Sequence, residues 1–220
     1  MHESMAYYTL FENRDQAGRQ LATLLEKYRN TSALVLAIPR GGVPVGYVIS
    51  RQLELPLDIV LTKKIGHPTN PEFAIGSVSA DTIVLDDHPE ISGQYIRDET
   101  NRIKELLKSR YRRYRRYRDD KTAPDIKGKT VILTDDGIAT GNTLLATIRT
   151  LRKKEPARVV VAVPVAPLRT CEKISREADE FICPVQPDYF PGVGAFYKDF
   201  RQVSDEEVIG LLKNPGTDSL

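Results

Sequence analysis

The chain has no tryptophan and only two cysteines, Cys171 and Cys183. They lie twelve positions apart without CxxC spacing or paired histidines, which excludes a zinc knuckle and a disulfide framework and suits reduced thiols in a cytoplasmic protein. Long hydrophobic runs are missing too. Ala33–Pro39 and Val159–Pro167 are the longest, too short to span a bilayer, and the first residues lack the apolar core of a signal peptide. Charge of one sign is also lacking, because 32 Lys and Arg nearly balance 30 Asp and Glu. Composition alone therefore gives no reason to expect nucleic acid or a membrane surface. GxGxxG is absent, and no Gly-Lys-Ser/Thr closes the small-residue loop at 137–143, which is therefore neither a dinucleotide fingerprint nor a Walker A loop.

What is there is an alternation of buried strands and helices. Asn13 can cap a helix reaching Tyr28, with Ala17, Leu21, Leu24, Leu25 and Tyr28 on one face. The continuous apolar runs at 33–38, 57–62, 130–134, 158–165 and 180–185 are separated by helical stretches at 43–53, 143–154 and 168–177. Such a pattern predicts a mostly parallel sheet covered on both faces. GHPTNPEF (66–73) reads as a loop, AIGSV and TIVLD as a hairpin, 92–118 as one long helix, and SDEE from Ser204 as a capping box. No linker divides the chain, so 1–220 is read as one domain: a core over 30–186, a flexible-loop region over 66–87, and a C-terminal hood and helix over 187–213.

Ligands of open parallel sheets bind beyond the carboxyl ends of the strands. Three such ends carry polar chemistry: Pro39–Gly42, Lys63–Lys64 and Asp135–Thr143. The stretch VILTDDGIATGNT (131–143) joins two acids to a small-residue loop that opens a helix. Helix-terminal amides favour an anion, whereas adjacent carboxylates suit sugar hydroxyls or a hydrated magnesium ion. A sugar phosphate satisfies both halves. The plainer reading is a strand end whose acids cap a turn.

VILTDDGIATGNT resembles the phosphoribosyl pyrophosphate (PRPP) signature of type I phosphoribosyltransferases, with Thr134 and Gly137 in place of aliphatic residues. The resemblance implies a Rossmann-like α/β core of about five mostly parallel strands with helices on both faces, plus a small hood and flexible loop. It assigns Asp135 and Asp136 to the ribose hydroxyls, and Gly137, Ile138, Ala139, Thr140, Gly141, Asn142 and Thr143 to the loop that holds the 5-phosphate. AIPRGG is similar to the family's pyrophosphate loop, which makes Pro39, Arg40, Gly41 and Gly42 its counterparts and implies a cis peptide near Pro39–Gly41. Arg40, Lys63 and Lys64 become the residues expected to stabilise departing pyrophosphate, with one lysine reaching it and the other solvated. Mg²⁺ is expected to bind mainly through PRPP, with Asp135 and Asp136 as candidate protein ligands.

The reaction so implied transfers phosphoribosyl to a nitrogen acceptor, a nucleobase-like small molecule, and releases pyrophosphate. Ala139 replaces the Asp typical of 6-oxopurine enzymes, which disfavours hypoxanthine and guanine. Tyr189, Phe190, Phe196 and Tyr197 are hood candidates for stacking on the acceptor, or else packing residues. The basic cluster YRRYRRYR (111–118) reads as a solvated helix face or homodimer contact in preference to a nucleic-acid surface. A PRPP-sensing regulator that binds RNA, DNA or a protein through this helix is the competing reading.

Overall fold

The computed structural model describes residues 10–115 and 124–213. Five strands form one parallel sheet in the order β2 (Leu57–Ile59), β1 (Leu34–Ala37), β6 (Thr130–Thr134), β7 (Arg158–Ala162), β8 (Glu180–Ile182). Both faces of β1, β2, β6 and β7 are largely buried, which is why their sequences run apolar with little alternation, whereas edge strand β8 is half-buried. Val35, Ala37, Ile132 and Val160 join a core with Leu21 and Leu25 of α1 (Arg14–Leu24) and its end, and with Val45, Ile49 and Leu53 of α2 (Gly42–Leu53). Leu34, Leu36, Val131, Leu133 and Val161 pack on the other side against Leu144, Ile148 and Leu151 of α4 (Asn142–Arg152) and Ile174 of α5 (Leu168–Glu177).

From β1 the chain crosses to β2 at one edge, while from β6 it proceeds through β7 to β8 at the other. The direction of winding therefore reverses between β1 and β6, and that is where an α/β sheet opens a ligand crevice.

The second apolar run is shorter as a strand than its sequence suggests. β2 stops at Ile59, and the chain enters a separate antiparallel sheet of β3 (Thr62–His67), β4 (Asn70–Ser79) and β5 (Ile83–Leu85). The predicted hairpin of AIGSV and TIVLD is its β4–β5 half. The segment 66–73, expected as a loop, is largely strand, turning at Pro68 and Thr69. Register shifts around Ile65, Gly66 and His67 break the alternation that would have announced it.

α3 (Gly93–Tyr114) begins at Ser92, whose side chain accepts from Tyr95 N. Its arginine-rich end is tied down. Tyr111 Oη donates to Ile59 O at 3.2 Å, Tyr114 Oη donates to Asp205 at 2.9 Å, and Arg113 pairs with Asp205 at 2.8 Å. Arg115 forms an ion pair with Asp58 in which both side chains are buried. Tertiary structure thus claims four of the five described residues of the cluster; Arg116, Tyr117 and Arg118 lie outside the described residues. α6 (Asp205–Lys213) starts as anticipated, with Ser204 Oγ accepting from Glu207 N at 3.1 Å. The Glu207 carboxylate, however, binds Arg201. No helix among the described residues is long and apolar enough to cross a membrane.

The Arg115–Asp58 pair fastens the end of α3 to the edge strand from which the antiparallel sheet departs. Removing Asp58 takes the carboxylate away from a buried guanidinium. Asp58→Ala is expected to cost about 3–5 kcal/mol, read from the shift in the urea unfolding midpoint.

Candidate functional site

β1 and β6 run side by side with Ala37 opposite Thr134, so the loops leaving their carboxyl ends emerge together. Ile38 N donates to Thr134 O at 3.0 Å and continues the pairing past the strand end. The Pro39–Arg40 peptide is cis, within the stretch where the sequence placed it. The two glycines that follow let the loops meet. A Cβ on Gly42 would stand 2.8 Å from Asp135 Cα, and one on Gly41 would overlap the Asp136 carboxylate. Arg40 is exposed, with Nη1 3.7 Å from Asp205 Oδ1.

The two acids are held differently. Asp135 Oδ1 accepts from the backbone N–H of Asp136 at 2.8 Å. Asp136 Oδ2 accepts from both Nε and Nη2 of Arg14, at 2.9 and 2.7 Å. Tyr197 Oη donates to the Asp136 backbone carbonyl at 2.6 Å. Burial pushes the Asp135 carboxyl well above its usual range, and the neighbouring Asp136 charge adds to the rise. Burial also raises Asp136, opposed by the Arg14 guanidinium. Arg14 escaped the sequence reading. Its one signal is position: an arginine extending the apolar stripe of α1 three residues before Ala17 and seven before Leu21.

Beyond the acids the chain passes through Gly137 and buried Ile138, whose N–H donates to Val165 O at 2.9 Å. Gly137 is enclosed by the C-terminal segment. It is buried, and a Cβ there would fall 2.5 Å from Val193 Cγ1, so the C-terminal segment fills the space an aliphatic side chain would take. Ala139, Thr140, Asn142 and Thr143 are exposed around buried Gly141, whose φ of 75° begins α4. The first-turn N–H groups of that helix lack intrahelical acceptors, and the positive end of its dipole faces the same loop. A second supporting residue was not anticipated: Thr170 Oγ1, on the first turn of α5, donates to Ala139 O at 2.7 Å.

The structure corrects the placement of one group of candidate residues and, for a second, favours the packing alternative. Lys63 and Lys64 do not end β2; both lie inside β3, opposite Val78 and Ser77. Ser77 Oγ lies 3.2 Å from Thr150 Oγ1 of α4, which puts Lys64 on the α4 side of the antiparallel sheet. Lys63 is on the α3 side, near Glu99, which Arg102 chiefly and Lys63 in part hold below the usual carboxylate range. Among the hood aromatics, Phe196 and Tyr197 are buried and serve as core. Tyr197 packs on Phe11 and Phe200 with ring centroids 5.2 and 5.0 Å apart, and Phe190 stacks on Phe196 at 5.4 Å. Tyr189 alone of the four is open to solvent, 69% exposed.

The cost of burying Asp135 gives a measurable signature. Between the ordinary 3.8 and its raised value the folded state binds the extra proton, so stability falls as pH rises through that window. Asn keeps the acceptor for Asp136 N–H and carries no charge. Asp135→Asn is therefore expected to raise the melting temperature at pH 8 by about 2–4 °C, a gain that shrinks on acidification, as scanning calorimetry at both pH values would record.

The chain is similar to known proteins over most of its length. A model of the phosphoribosyl transferase domain matches residues 9–194. Two curated Mycobacterium tuberculosis proteins, from strains CDC 1551 and H37Rv, carry the provisional name phosphoribosyl transferase; each is 35% identical over 207 residues, covering 92% of this chain. The chain spans about half the length of these relatives, 46% of each. The crystal structure of TT1426 from Thermus thermophilus superposes with a TM-score of 0.83 at 39% identity, covering 92% of this chain and 97% of that one. Domain, relatives and fold coincide over the segment that carries the crevice, and the chain belongs to the phosphoribosyltransferase family.

Proposed function

We propose that the β1–β6 crevice binds PRPP and that the chain transfers its phosphoribosyl group to a nitrogen nucleophile, releasing pyrophosphate. One observation carries the reading. An exposed helix-terminal anion loop, a pair of carboxylates and a glycine turn next to Arg40 meet at the one place where the sheet reverses its winding. PRPP presents a phosphate, a diol and a pyrophosphate in that order along its length.

In this reading the amides at the start of α4 and the hydroxyls of Thr140 and Thr143 hold the 5-phosphate. Asp135 and Asp136 accept from the ribose hydroxyls. Arg40 and the amides of Gly41 and Gly42 stabilise negative charge gathering on the leaving pyrophosphate. These residues orient the sugar and exclude water, leaving the acceptor nitrogen to attack at C1.

Mg²⁺ belongs to the same proposal. Asp136 Oδ2 is committed to Arg14, and among the described residues no group of three His, Cys, Asp or Glu side chains is arranged to hold an ion. The donor set thus fits a cation held chiefly by PRPP oxygens and water, with Asp135 as the nearest protein carboxylate. Bound there, Mg²⁺ would supply positive charge to the pyrophosphate. A nucleobase acceptor and a place in nucleotide salvage in the cytoplasm complete the reading.

Calorimetric titration with PRPP in the presence of Mg²⁺ is expected to show one site, weakened about tenfold or more by Asp135→Asn. Incubation with a panel of nucleobases should then release pyrophosphate with at least one of them. PRPP binding that is undetectable, or indifferent to Asp135→Asn, would falsify the site.

A further inference from the structure

Asp136 is gripped from a part of the chain that the signature does not include. Arg14, 122 positions earlier, places Nε and Nη2 on Asp136 Oδ2 and gives Nη1 to the carbonyl of Arg201 at 2.8 Å. Its guanidinium also lies over the Phe200 ring, 4.0 Å from the centroid. The side chains of Arg14 and Asp136 are only 10% and 13% exposed. Arg14 therefore has its donors directed inward and does not stand where it could hold a phosphate itself. Its effect falls on the carboxylate.

That effect is specific to one oxygen. Two charge-assisted bonds occupy the lone pairs of Asp136 Oδ2, so a ligand hydroxyl can reach only Oδ1. In Asp135 it is Oδ1 that is engaged, by the Asp136 backbone N–H, and Oδ2 that is left. Each acid thus keeps one oxygen that no backbone or guanidinium donor occupies, the number that two vicinal hydroxyls require; the two carboxyls also hydrogen-bond to each other, a contact that ligand hydroxyls would replace.

We propose that Arg14 is a positioning residue for sugar recognition: by holding Asp136 Oδ2 it fixes the acid pair so that one oxygen of each carboxylate receives the 2- and 3-hydroxyls of a ribose phosphate. The proposal rests on the reading of the crevice as a sugar-phosphate site. Arg14 touches no substrate, and it also links this recognition to α1 and to the segment holding Tyr197, Phe200 and Arg201.

The test is calorimetric titration of the full chain with ribose 5-phosphate, 2-deoxyribose 5-phosphate and inorganic phosphate. For Arg14→Met the affinity for ribose 5-phosphate is expected to drop about tenfold, while that for inorganic phosphate and for the deoxy sugar changes less, about twofold. Adding Asp136→Asn to Arg14→Met should bring little further loss, because both changes remove the same anchored acceptor. Arg14→Lys, which keeps a cation on Oδ2 but cannot also span to Arg201 O, should lose less in the same hydroxyl-dependent way and reports even where Arg14→Met fails to fold. Equal losses for all three ligands would mean that Arg14 only supports the fold, and additive losses in the double variant would separate it from Asp136; either overturns the proposal alone. An unsubstituted chain that binds neither sugar phosphate nor phosphate would overturn the crevice reading as well.

Discussion

Asp136 is the point on which the crevice depends. Its carboxylate lies against the backbone at Gly41, its Oδ2 is bound by Arg14, and its carbonyl is bound by Tyr197. Four segments distant in sequence are thereby brought to one residue: the first helix, the turn after β1, the loop after β6 and the C-terminal stretch. None of these contacts is local, and those of Arg14 and Tyr197 are made by groups that would be costly to leave buried without a partner. The order of the strands makes the meeting possible, because only β1 and β6 are neighbours whose chains depart in opposite directions.

The glycines of PRGG show how easily a binding role and a packing role can be confused. Read alone, Gly41 and Gly42 suggest a backbone cleared for an oxyanion. In the fold the missing Cβ atoms first make room for Asp136 and Asp135. Close contact between the two loops is a precondition for any ligand to touch both. Gly137 follows the same logic, with Val193 standing where its side chain would be.

Legibility in the sequence followed the range of the interactions. Largely buried parallel strands, helix caps at Asn13 and Ser204, and the small-residue turn that opens α4 are set by residues within a few positions of one another, and all were recoverable. The antiparallel sheet was recovered only in its β4–β5 half, since bulged register at Ile65–His67 leaves no period to detect. Lys63 and Lys64 were misplaced as a consequence. Arg14 and Thr170 support the signature from α1 and α5, and nothing in their local sequence names a partner more than thirty residues away. Phe196 and Tyr197 looked like hood residues because aromatic type does not tell stacking surface from core; burial does.

The same geometry bears on how stability and binding are divided. One arginine is set against two carboxylates, and burial raises both acids. The folded chain consequently holds a pair of acids whose ionised form its own donors do not fully compensate. Such an unmet acceptor pair is a cost in the free protein and a gain for any ligand that brings hydroxyls or a cation to it, since a ligand selective for the folded state stabilises that state by mass action. The anion loop has the opposite sign, with helix-terminal amides awaiting negative charge. Opposite unmet charges a few residues apart favour a ligand that is anionic at one end and hydrogen-bond donating beside it, and they disfavour a simple anion or a simple cation. In the proposed reading, selectivity for a sugar phosphate would arise from what the fold leaves uncompensated at Asp135 and Asp136 as much as from what it supplies at Thr140–Thr143.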